Sequence, residues 1–147
     1  MYKHILIPVD GGPLSRKAVR EGIALAHTCG ARVTGFFSPP EYEVLLYGDY
    51  FPPDLLPREE YEARAARNAA RILGAVKKVA DKAGVPCDTF HQTSRRPWEA
   101  IIATVQTHHC DVVVMASHGR SGVAGMLLGS ETMQVLAHSR VPVLVVR

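Results

Sequence analysis

A chain of 147 residues, 47% apolar and 21% charged, has the length and composition of one soluble globular domain that can bury a core. A net charge of +3 is too mild to point to nucleic acid, and the longest apolar stretches fall far short of the roughly 20 residues a membrane span needs. Three cysteines, widely spaced and without a C-x-x-C pair, argue against a disulfide framework; with no apolar signal region ahead of Met1-Tyr2-Lys3-His4, they fit buried thiols in a reducing cytoplasm.

His4 to Val9 (HILIPV) is a short β-branched run ended by Asp10-Gly11-Gly12-Pro13, which predicts a buried strand and then a helix opening at Pro13. Leu14, Ala18, Leu25 and Cys29 recur at helical spacing up to Gly30, a suitable C-terminal stop. Ala31 to Phe37 reads as a second strand. The long connection from Ser38 to Pro57 carries Tyr42, Leu45, Leu46, Tyr47, Tyr50 and Phe51, too apolar a set for a plain linker. A lid, a subunit contact and a passive flap all fit it.

Residues 58–83 show the clearest helical period, through Tyr61, Ala65, Ala69, Ile72, Val76, Val79 and Ala83, with Gly84 closing the helix. Arg64, Arg67, Arg71, Lys78 and Lys82 lie off that stripe, as a solvated face does. Val85 to His91 is a more polar strand, expected near a sheet edge. Pro97 opens a helix with apolar positions Trp98, Ile101, Ile102 and Val105, and Trp98 is read as core rather than as a ligand platform. Asp111 to Ala116 is a continuous apolar strand buried on both faces. A loop from Ser117 to Gly129 follows, Ser130 is expected to N-cap a helix running to about His138, and Val141 to Val146 forms the last strand. This alternation predicts an α/β fold: one open parallel sheet, Rossmann-like, with helices on both faces and right-handed crossovers.

Ligands of such sheets bind beyond the carboxyl ends of the strands. After the first strand stand Pro8, Val9 and Asp10. After the fourth stand Met115, Ala116, Ser117, His118, Gly119 and Arg120, then Gly122, Gly125 and Gly129-Ser130. Glycines let the chain pass close to an anion, and a helix beginning at Ser130 offers amides, through Glu131 and Thr132, with no partner inside the helix. Those amides and the helix dipole favour a phosphate, which Arg120 would bind with charge-assisted bonds. Asp10 suits a ribose hydroxyl or an oxygen-liganded Mg²⁺. The same residues also fit a plain tight loop before a capped helix; neither G-x-G-x-x-G nor the lysine of a P-loop is present.

Other groups are read more plainly. Consecutive His108 and His109, beside Cys110 and Asp111, do not converge on one metal ion. His118 beside Ser117 lacks an orienting carboxylate, so its imidazole is expected to be solvated or phosphate-facing rather than a catalytic base. Arg95 and Arg96 are expected in solvent. The sequence offers no convincing general base for hydrolysis.

The run VVVMASHGRSGVAGMLLGSETMQVLAHSRVPVLVVR from Val112 to Arg147, together with the opening ILIPVDGGPLSRKAV, resembles the universal stress protein family over essentially the whole chain, 1–147. Its ATP-binding members carry a glycine, two residues, a glycine, nine residues, then glycine with Ser or Thr. Gly119, the stretch from Arg120 to Leu128, and Gly129-Ser130 match the latter part, while Ala116 replaces the first glycine. The resemblance implies strand order 3-2-1-4-5 and an adenine nucleotide, ATP or else ADP or AMP, with Mg²⁺. Asp10 would bind ribose and, indirectly, a nucleotide-bound Mg²⁺, with Pro8 and Val9 beside it. Met115 would pack on adenine with Ser38 near it, and Gly119, Arg120, Gly129, Ser130 and Glu131 would cradle the phosphates; Ala116, Ser117 and Thr132 complete the expected set. It also implies a homodimer joined through the last strand, Val141 to Val146, which would otherwise expose an apolar edge. A nucleotide-binding stress-response or signalling module with little or no catalysis, a nucleotide-independent scaffold dimer, and a slow ATP hydrolase are the three functions left open; no nucleic acid or membrane partner is expected, and protein partners are unspecified. The loop Asp10-Gly11-Gly12-Pro13-Leu14-Ser15 lacks the Ser-Gly-Gly-x-Asp-Ser grip of a related adenylating class, so nucleotidyl transfer is not expected.

Overall fold

A computed structural model describes residues 1–42, 56–119 and 127–147. The elements follow in the order β1 (His4–Pro8), α1 (Pro13–Cys29), β2 (Arg32–Phe37), α2 (Arg58–Lys82), β3 (Cys87–His91), α3 (Pro97–Thr107), β4 (Val112–Ala116), α4 (Ser130–His138) and β5 (Val143–Val146). The five strands form one parallel sheet in the order β3-β2-β1-β4-β5, with Ile5 paired to Val33 on one side and to Val112 on the other. This is the α/β architecture and strand order that the sequence led us to expect.

Side chains alternate across the sheet, so one strand feeds two cores. Ile5, Ile7, Val112 and Val114 pack with α1 and α2, whereas Leu6, Val113 and Met115 pack with Phe36, α3 and Val135 of α4. The central strands β1 and β4 are buried on both faces. The more polar β3 forms one edge, and β5 the other.

The seam of α1 differs from the expected one. Ser15, Ala18, Val19, Gly22, Ile23 and Ala26 are buried, while Leu14, Leu25 and Cys29 are only half-buried along its flanks. The reason is closeness: a Cβ at Gly22 would stand 2.5 Å from the Ile7 Cδ1, so the helix lies on the sheet over its small residues. Cys29 is therefore not a core thiol, unlike Cys87 and Cys110, whose thiols burial pushes up, that of Cys110 to about 11.

Residues 43–55, with Leu45, Leu46, Tyr47, Tyr50 and Phe51, lie outside the described residues, as do 120–126 with Arg120, Gly122 and Gly125. The flanks of the first segment are tied together: the Tyr42 hydroxyl donates to the Leu56 carbonyl at 2.7 Å, and the Tyr61 hydroxyl to the Pro40 carbonyl at 2.7 Å. The last strand is shorter than Val141 to Val146. Pro142 has no N–H and contributes only its carbonyl, which takes the Val113 N–H at 3.0 Å, so the ladder begins at Val143. No helix among the described residues is long and apolar enough to cross a membrane.

Of the run His108 to Asp111, the last residue has structural work. The Asp111 carboxylate accepts from the Lys3 and His4 amides at 2.8 and 3.2 Å, tying the start of β4 to that of β1. His4 itself is buried, and its Nε2 shares a hydrogen bond of 2.7 Å with Thr34 Oγ1 on β2. Burial first, then the Arg32 charge, hold its imidazole below the ordinary pKa. A lowered pKa means the unfolded chain takes up the proton first. His4 therefore contributes stability that is complete above about pH 6.5 and is lost as pH falls through the depressed native value. Urea unfolding midpoints measured from pH 7.5 to 5.0 should fall with pH, and His4→Gln should make that decline shallower.

Candidate functional site

The carboxyl ends of β1, β2 and β4 open onto a cavity of about 680 Å³, bordered by the starts of α3 and α4. Of the residues singled out from the sequence, Pro8, Val9, Asp10, Ser38, Met115, Ala116, Gly119, Gly129, Ser130, Glu131 and Thr132 line it. Arg120 lies outside the described residues. Ser117 does not reach this cavity. It is buried behind the wall, where its hydroxyl contacts His118 Nδ1 at 3.2 Å and its carbonyl accepts the Gly129 N–H at 2.7 Å. Its place in the site is thus through the backbone.

The position of Asp10 follows from the turn into α1. Its carboxylate Oδ1 accepts the Gly12 N–H at 2.8 Å, and its own N–H donates to Ser15 Oγ at 3.1 Å. Ser15, three residues past the helix cap at Gly12, reaches back to hold the residue before the turn, much as an N3 side chain does in a capping box. The other oxygen, Oδ2, stands 3.0 Å from where a Cβ on Gly119 would lie. The first and fourth strand ends therefore meet at these two residues.

Two bonds fix the start of α4 to the end of β4. One is the Gly129 N–H to Ser117 carbonyl bond already given; the other runs from the Thr132 hydroxyl to the Ala116 carbonyl at 2.9 Å. Contrary to expectation, Gly129 is the N-cap and Ser130 the first helical residue, and no side chain caps the end. Crowding decides it. A Cβ on Gly129 would come within 3.0 Å of His118 Cα, so glycine occupies the cap and Ser130 moves into the helix. Ser130, Glu131 and Thr132, whose first-turn amides have no acceptor within the helix, line the cavity all the same.

Glu131 behaves differently from its neighbours. Its carboxylate crosses to α3 and accepts the Trp98 N–H at 2.7 Å. The Trp98 ring, half-buried against the core, stacks on His138 with centroids 4.4 Å apart.

The wall also includes Ser15, Phe36, Phe37, Pro40, Pro97 and Ile101, which sequence reasoning did not select, and His118, which it left as solvated or phosphate-facing. Phe36 with Ile101 and Met115, from one face of the sheet, and Phe37 with Val9, from the other, make an apolar stretch. Signals for some were present: Phe36 and Phe37 end the strand beside β1, and Pro97 opens a helix. Ser38 Oγ is buried with no hydrogen-bond partner among the described residues. Arg95 and Arg96 are exposed and paired with Glu41 and Glu99 at 2.8 and 2.9 Å. Among the described residues no group of three or more His, Cys, Asp or Glu side chains is placed to hold a metal ion.

The family model of the universal stress proteins matches residues 1–147. The chain belongs to the universal stress protein family. A relative from Thermus aquaticus, "Universal stress protein in QAH/OAS sulfhydrylase 3'region", is 31% identical over the whole of both chains. Among solved structures, the protein MJ0577 superposes with a TM-score of 0.83 at 25% identity, over 99% of this chain and 96% of its own. Two further members with the same fold are a universal stress protein in complex with cAMP (TM-score 0.68, 23% identity, 99% and 97% covered) and one from Archaeoglobus fulgidus in complex with dAMP (0.71, 16%, 99% and 98%).

The two glycines at the cavity should respond differently to a methyl group. Gly129→Ala presses on the His118 backbone, which cannot rotate away, and should cost about 1–3 kcal/mol. Gly119→Ala meets the far end of the Asp10 side chain and should cost less than about 1 kcal/mol. Chemical denaturation of the two variants checks the difference.

Proposed function

We propose that the cleft binds an adenine nucleotide, ATP, ADP or AMP, with phosphate at the start of α4 and the base against the apolar wall, and that binding rather than turnover is what this stress protein does. The observation that carries the reading is the meeting of Asp10 and Gly119 beside the amide end of α4, within one cavity of about 680 Å³. That volume falls in the usual range for small-molecule sites. The buried Ser38 hydroxyl is the kind of unpaired atom that a polar ligand edge satisfies. Family members solved with cAMP and dAMP support adenine as the base.

In this reading Asp10 accepts from a ribose hydroxyl and supplies an oxygen to Mg²⁺ carried on the phosphates. The amides of Ser130, Glu131 and Thr132 take the phosphate oxygens. Met115, Phe36 and Ile101 exclude water from one face of the base. Arg120 would add a charge-assisted bond.

Calorimetric titration of ATP, ADP and AMP with Mg²⁺ should show binding to the wild type, weakened about tenfold or more by Asp10→Ala. Absence of heat and of any thermal shift at millimolar nucleotide would leave the scaffold dimer as the function. Phosphate release followed over hours should stay near the uncatalysed rate.

We further propose that the chain forms a homodimer across β5. This strand is a sheet edge with nothing paired to its outer side among the described residues, and Leu144 on it is 46% exposed. Leu144→Asp should convert dimers to monomers by light scattering. A dimer that survives this change uses another surface.

A further inference from the structure

We propose that Glu131 is a charge selector, whose carboxylate makes the cleft favour an adenine monophosphate over an uncomplexed polyphosphate. The inference rests on the reading that the cleft holds an adenine nucleotide, and goes beyond it by naming which phosphate chain the site accepts.

Three observations converge on Glu131. Its backbone lies in the first turn of α4, where a phosphate would dock, and the residue lines the same cavity. The carboxylate is held there, because Oε2 accepts the Trp98 N–H at 2.7 Å. That bond fills a particular need. The N-cap of α3, Arg96, makes no side-chain capping bond, Pro97 has no N–H, and the Glu99 amide is already turned back to the Arg96 carbonyl at 3.0 Å. The Trp98 amide is thus the donor in the first turn of α3 that an acceptor from another element satisfies. Glu131 occupies that donor with an anion belonging to the protein.

The remaining wall sharpens the effect. Its described residues include a second carboxylate besides Glu131, that of Asp10, which already accepts the Gly12 N–H at 2.8 Å. A nucleotide phosphate at α4 gains from the helix dipole but meets a fixed negative charge close by, and each added phosphate increases that repulsion. A divalent cation on the polyphosphate removes most of it. Glu131 is therefore a specificity residue that acts through charge, and its cap on α3 serves to keep that charge in place.

The test is calorimetric titration of adenosine, AMP, ADP and ATP into wild type and Glu131→Gln, first in EDTA and then with Mg²⁺. Glutamine keeps an oxygen to accept from Trp98 but loses the charge. In EDTA, Glu131→Gln should strengthen ATP binding by roughly tenfold, ADP by less and AMP least, and leave adenosine unchanged. With Mg²⁺ the difference for ATP should shrink. Wild type alone gives a second reading that needs no variant: its preference for AMP over ATP in EDTA should narrow or vanish with Mg²⁺. An equal change for all four ligands, or an unchanged ATP affinity, overturns the inference while leaving nucleotide binding intact. If neither protein binds any of the four, the nucleotide reading itself has failed.

Discussion

The site depends on one constraint, the pairing of β1 with β4 in the middle of the sheet. Because these strands are neighbours and parallel, their carboxyl ends finish side by side, which brings Asp10 against Gly119 although they are far apart in sequence. Everything else at the cleft is fastened to those two ends. Ser15 and Gly12 hold the acid from the α1 side. The carbonyls of Ala116 and Ser117 hold α4 from the other. Neither element has freedom to drift, because β1 and β4 are buried on both faces.

The pairing also explains why small residues matter here more than large ones. Where helices must come close to the sheet ends, side chains are short: Gly22 beneath Ile7, Gly129 against His118, Ser15 under the Asp10 turn. On the α1 side, small groups such as Ala18, Gly22 and Ala26 interlock with the β-branched strands, and Val19, Ile23 and Val76 complete the packing.

Much of this was legible in the sequence, for physical reasons that differ from element to element. β-Branched runs such as VVVMA and HILIP name buried strands unambiguously, and Pro13, Gly30 and Pro97 mark helix ends because their backbone limits do so. The strand order itself came from likeness to a family, since hydrophobic pattern says nothing about which strands are neighbours. Periodicity misjudged α1 because it weighs residues by hydrophobicity, whereas the buried seam was chosen by size. Ser117 was misplaced for a related reason: a residue at a strand end alternates between cavity and core, and only the register tells which. Phe36, Phe37 and Ile101 belong to the wall through β2 and α3, whose approach to the site no local pattern encodes. The bond from Glu131 to Trp98 joins two helices and was equally invisible.

That bond has a practical meaning of its own. Trp98 of α3 is the only tryptophan in the chain, with its amide bonded to Glu131 in the first turn of α4 and its indole ring lying on His138 at the other end of α4. One native chromophore thus rests on the end of α4, and its emission reports on the seating of that helix without any label being introduced.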